Sequence, residues 1–241
     1  MGKLIKQQFM EMNWKDLLPT TFILLITWSY APFSYAVGVQ GSHFNAHMGM
    51  LFLYVICIGL VVPMLMYHHF GSTLSTIPLI ASGIVAIIGF SKTPLLLALL
   101  LLLPIFLLVI QMPSMDFQNS LGLITFGILM MFTVSVACAY VSLHFISWEI
   151  ISFLLPVMAS TWFYMAPFFL DNVSQYKFKV TIFAVILLIF TLSRPLRASI
   201  YMAIAIIVAT WFVMVAKADE KPSLIIYCLT QMVIITLIYW S

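Results

Sequence analysis

Histidine carries most of the chemistry open to this chain. His43 and His47 stand four residues apart, so a helix beginning early over 47–67 puts both imidazoles on one face. His144 falls between two apolar runs, and Glu149 follows it by five residues. Glu149 is also the only acidic residue with hydrophobic sequence on both sides. If successive spans alternate direction, His43, His47, His144 and Glu149 all emerge at one side of the membrane, and His68 and His69 emerge at the other as loop residues. Two imidazoles at i and i+4, with Met48 and Met50 beside them and His144 as a third, suit a soft-to-borderline metal such as copper. Haem held by histidines of different spans is the second option. The plain alternative for each histidine is an interfacial polar residue. An ionised group at membrane depth is costly, so Glu149 is read as a buried, partnered group for proton or ion coupling. No HExxH, GxSxG, P-loop or glycine-rich dinucleotide turn is present, and no enzyme is expected.

The elements that must position these groups are set by composition. Ten basic and seven acidic residues are all the formal charge in 241 residues, and 64% of the chain is hydrophobic. A soluble domain averages about half apolar residues. The polar residues here cannot cover a soluble exterior, so lipid is the solvent for most of the surface. No basic surface for nucleic acid exists. Cys57, Cys138 and Cys228 lie far apart in apolar windows, without a CxxC pair, and read as small buried hydrophobes.

Windows between polar and Pro/Gly breaks fall at 17–38, 47–67, 74–90, 94–111, 121–143, 148–169, 178–193, 198–216 and 223–240. A span needs about 20 apolar residues, and several windows are shorter. The expectation is an all-α polytopic bundle of seven to nine spans. A cytoplasmic N-terminal segment (1–16) precedes a single transmembrane domain (17–241). Lys3, Lys6 and Lys15 before an apolar stretch, with Ser34-Tyr35-Ala36 after it, have the outline of a signal peptide. The stretch runs on almost to Gly38, however, so a retained first helix is expected. Lys3, Lys6, Lys15, Lys177, Lys179, Lys217 and Lys221 fall on the N-terminal side of a nine-span chain, against Lys92, Arg194 and Arg197 opposite. That bias makes the N-terminus cytoplasmic in a multi-pass plasma-membrane protein, with the two arginines dissenting. Trp14, Trp28, Trp148, Trp162, Trp211 and Trp240 read mostly as interfacial belts.

Three segments resemble the cytochrome c oxidase assembly factor CtaG family. Phe44-Asn45-Ala46-His47-Met48, followed by Leu53-Tyr54 and Pro63, is similar to its Phe-Ser-Ala-His-Met entry to a Pro-containing span. Arg194-Pro195-Leu196 with Tyr201 is similar to a Pro-Leu-Tyr segment before a late helix. Ala218-Asp219-Glu220-Lys221, leading to Leu224–Trp240, resembles the entry to the last span. The family's second cluster of histidines is reduced here to His144 with Glu149, its proline pair to Pro63 and its double Trp to Trp162. The resemblance implies a seven-span, non-enzymatic protein that delivers copper to, or otherwise matures, a haem-copper oxidase. It makes His47 the inherited ligand, with His43 and His144 as additions.

A second resemblance covers less of the chain. Phe145-Ile146-Ser147-Trp148-Glu149, with Ser152–Leu155 and Trp162-Phe163, looks like the glutamate helix of antiporter-like subunits. It implies a transporter centred on Glu149, although no lysine lies inside a later span. The third alternative is an accessory subunit packed against other membrane-protein subunits. Small-residue spacings such as Gly83 to Gly89 permit such packing.

Overall fold

A computed structural model of the chain describes residues 12–39, 46–112, 115, 117–170, 173–218 and 223–240. Among these the regular structure is helical, with no strand. The helices are α1 (Trp14–Val39), α2 (Ala46–Tyr67), α3 (Thr76–Phe90), α4 (Pro94–Val109), α5 (Ser120–Leu143), α6 (Trp148–Phe169), α7 (Val173–Leu192), α8 (Ala198–Ala216) and α9 (Leu224–Tyr239). The windows read from hydropathy match these helices closely. The widest disagreement is at α7, which starts five residues before its window, because Gln175 and Lys177 continue the helix past its apolar part.

Six helices (α1, α2, α5, α6, α7 and α8) are long and apolar enough to cross a membrane. The other three have 15, 16 and 16 residues. At 1.5 Å per residue they are about 22–24 Å long, short of the roughly 30 Å hydrocarbon core. The expectation of seven to nine spans thus resolves into six full-length helices and three short ones. The windows overran where polar side chains bend the chain. The Ser75 hydroxyl reaches the Gln111 amide oxygen, and the Gln111 amide turns back to the Leu107 carbonyl, closing the α3–α4 hairpin at its open end.

Neighbouring helices run antiparallel, as contacts between their ends show. His47, at the start of α2, meets the Gly89 carbonyl at the end of α3, and Arg194, just past the end of α7, reaches the Phe153 carbonyl near the start of α6. The end holding Lys15 is called the near end here, and the opposite one the far end. α1 and α6 are central. α1 touches α2, α5, α6 and α9, while α6 touches α1, α5, α7 and α9. α7 and α8 are peripheral. On α3, Ile77, Ile80, Ile84, Ile87 and Ile88 form one exposed stripe, which suits lipid contact.

Prolines decide how several helices are joined. A proline inside a helix has no N–H for the carbonyl four residues earlier, and in lipid that carbonyl needs another donor. Pro32 releases the Trp28 carbonyl, which accepts from the Ser135 hydroxyl at 3.1 Å. Pro104 releases the Leu100 carbonyl, which accepts from the Tyr54 hydroxyl at 2.7 Å. Pro156 releases the Ser152 carbonyl, which the Arg194 guanidinium reaches at 3.4 Å. Each of these three acceptors is thus bonded by a different part of the chain. Ser135 lies in Met131–Val136, where α5 widens into π-type turns against α1.

Tyr54→Phe is therefore expected to cost about 1–3 kcal/mol, by orphaning the Leu100 carbonyl. In a Pro104→Ala background the same change costs less, because residue 104 then supplies an N–H. Reversible unfolding of the four proteins in mixed micelles measures this. Equal costs in both backgrounds would contradict the assignment.

Two tryptophans depart from the belt reading. Trp28 is 1% exposed in the middle of α1, and the Trp162 indole N–H donates to the Ile124 carbonyl across the α5–α6 contact. Gly127 makes room for that indole, since a Cβ there would lie 2.3 Å from its nitrogen. Trp148 and Trp240 are exposed at helix ends, as a belt requires. All three cysteines are free. Cys138 and Cys228 are buried and Cys57 is half-buried.

Candidate functional site

Antiparallel packing gathers the sequence-derived candidates at the far end. His47 lies in the first turn of α2, His144 directly follows α5, and Glu149 is in the first turn of α6. His43 lies outside the described residues. His47 is exposed, and its Nδ1–H donates to the Gly89 carbonyl at 3.2 Å, because a carbonyl can only accept. That bond fixes the tautomer and leaves Nε2 as the free ring nitrogen. His144 ends α5 in a left-handed conformation (φ 62°), a usual way to close a helix. Among the described residues, no three of His, Cys, Asp and Glu stand together closely enough to hold a metal ion.

Glu149 is exposed and not buried as its flanking sequence suggested. The apolar residues around it belong partly to the α5–α6 connection, where Phe145 and Ile146 are themselves exposed. In the first turn of α6 its charge meets the positive end of the helix dipole.

The groups that do converge at the far end came from elsewhere in the chain. Arg194 follows α7, and its Nη2 donates to the carbonyls of Ser152 and Phe153. Its guanidinium carbon lies 4.5 Å from the centre of the Phe153 ring and 5.4 Å from that of Tyr239. The Tyr239 hydroxyl donates to the same Phe153 carbonyl, and the Tyr35 ring meets Phe153 edge-on at 4.9 Å. One arginine therefore ties the α7–α8 connection to α6 and α9, its plane held against aromatic rings as guanidinium chemistry favours.

Beside it is a cavity of about 350 Å³, lined among others by Tyr35, Phe153, Arg194, Arg197, Ser199 and Tyr239. Among the described residues, no carboxylate lines it. The Nε of Arg194 is buried and has no hydrogen-bond partner. Two guanidiniums at an apolar cavity, with no acid in the wall, make a place for an oxyanion. Hydropathy reading treated both arginines only as charges on the wrong side of the membrane. That misplacement was the available signal, since a cation set against the lysine bias needs a local reason.

A second polar group lies between α6 and α9. The Gln231 amide, fully buried, donates to the hydroxyls of Ser160 at 3.1 Å and Thr161 at 3.3 Å, both of which spend their own protons on the Val157 carbonyl. Its Oε1 has no partner.

Compared with protein-family models, curated proteins and solved structures, the chain matches none.

Proposed function

We propose that this chain is a non-enzymatic, multi-pass membrane protein whose working site is the Arg194 cavity, where it binds a ligand through an anionic, oxygen-rich group. The single observation behind this reading is that Arg194 and Arg197 both line a cavity to which, among the described residues, no carboxylate contributes. With the N-terminus taken as cytoplasmic from the lysine bias, this reading has the cavity open at the outer face of the membrane. Inorganic phosphate is expected to raise the melting temperature of the protein in neutral detergent, saturably, and to lose that effect in Arg194→Met. If neither phosphate nor any anionic amphiphile stabilises or is retained by the wild-type protein, the reading is wrong.

Metal handling for a haem-copper oxidase is a second reading, favoured by His47. Metal-bound imidazoles commonly donate their other N–H to a carbonyl, as the Nδ1 of His47 does to Gly89. His144 emerges at the same end, and α2 touches the last turns of α5. On this reading the purified protein carries near-stoichiometric copper, and His47→Ala removes it. Unchanged metal content in that variant would end the proposal.

A further inference from the structure

We infer that the anionic group held at Arg194 is the headgroup of a membrane amphiphile, a phosphate- or carboxylate-headed lipid, and not a water-soluble anion. The inference rests on the oxyanion reading above and adds the class of ligand. The cavity sits where helices end, at the depth of lipid headgroups. Its cationic side is supplied by Arg194 and Arg197, and Ser34 and Ser199 add hydroxyls. The remaining wall is apolar or aromatic, including Phe153, Ile200, Ile238 and Trp240. A soluble anion surrounded by such a wall would lose hydration without replacement on that side. An amphiphile meets both halves at once, with charge against the guanidiniums and the first methylenes against the isoleucines.

The exit for a chain is also present. Ile200 belongs to the first turn of α8, and Ile238 to the last turn of α9, which packs on α8. Immediately beyond, Tyr201 and Met202 are 59% and 57% exposed on α8. A chain leaving the cavity along α8 therefore runs onto surface that already faces lipid. Glu149, one turn before Phe153 on α6, is the nearest acid in register among the described residues and does not line the cavity.

The test uses the full chain in neutral detergent, with native mass spectrometry as the readout. The lipids are long-chain phosphatidylglycerol and phosphatidic acid, compared with phosphatidylcholine, and inorganic phosphate serves as a competitor. About one anionic lipid per chain is expected to be retained in preference to phosphatidylcholine. Retention should fall roughly tenfold in Arg194→Met with Pro156→Ala, and in Arg197→Gln, as for loss of one charge-assisted contact. Phosphate at the same concentration should not displace the lipid. Circular dichroism of each variant separates loss of binding from loss of fold, and Arg197→Gln alters an exposed side chain. Equal retention of anionic and zwitterionic lipid, or anionic lipid unaffected by both variants, overturns the inference. If phosphate binds through Arg194 while lipid is not retained, the inference fails and the oxyanion reading stands. If neither binds, both fail.

Discussion

Gly122→Ala is expected to lower the melting temperature by roughly 2–12 °C, as an overpacking cost of about 1–3 kcal/mol converts for a chain of this size. The reason is a close approach between backbones. Asn119 caps α5 by accepting the N–H groups of Leu121 and Gly122, and this folds the incoming chain back over the first turn. The Phe117 carbonyl then lies where a Cβ at residue 122 would be, at 1.8 Å. A side chain could rotate away from such an overlap, but a carbonyl in a capped turn cannot. To make room, Phe117 must withdraw from Phe106, its partner on α4 at 6.1 Å between ring centres. The α4–α5 joint therefore opens. Gly49→Ala is the control, since nothing lies within 4 Å of a Cβ there, and alanine is the better helix former. Thermal unfolding of both variants in one detergent decides the matter, and a Gly122→Ala protein as stable as its parent would refute the account.

The second large effect belongs to Arg194→Met, expected to cost about 2–3 kcal/mol and to weaken binding at the far-end cavity roughly tenfold. Methionine keeps apolar contact with Phe153 and Tyr239 but donates nothing to the Ser152 and Phe153 carbonyls. Of these, the Ser152 carbonyl is the one in need, because Pro156 has no N–H to offer it. Adding Pro156→Ala should return part of the lost stability and none of the binding. That split separates the arginine's two tasks, holding the α7–α8 connection and facing a ligand. Equal stability of Arg194→Met and wild type would remove the first task. A full return of binding in the double variant would remove the second.

The sequence alone determined the class of the protein and the placement of its helices. Charge was too scarce for a water-facing exterior, and the polar breaks between apolar runs marked the helix ends to within a few residues. It also put His47, His144 and Glu149 at one end, because alternating direction follows from counting short connections. Burial of Glu149 could not be read in this way. Hydrophobic neighbours in sequence say nothing about whether a connecting segment is covered, and Phe145 and Ile146 turned out to be exposed. The helices α3, α4 and α9 end one or two residues inside windows that were already short. Hydropathy averages across a window, whereas a helix stops where one side chain such as Gln111 takes a backbone acceptor.

Only tertiary structure decided where the released carbonyls of Trp28, Leu100 and Ser152 found donors, since Ser135, Tyr54 and Arg194 lie 107, 46 and 42 residues away. Prolines in the sequence announce that a backbone acceptor needs a donor, but which side chain supplies it depends on helix neighbours. The same holds for the far-end cavity, whose wall comes from α1, α6, α8, α9 and the α7–α8 connection. Lipid solvation rewards any apolar surface alike, so it fixes where helices lie along the chain. The few polar contacts between them, each costly to leave unmade, fix how they assemble.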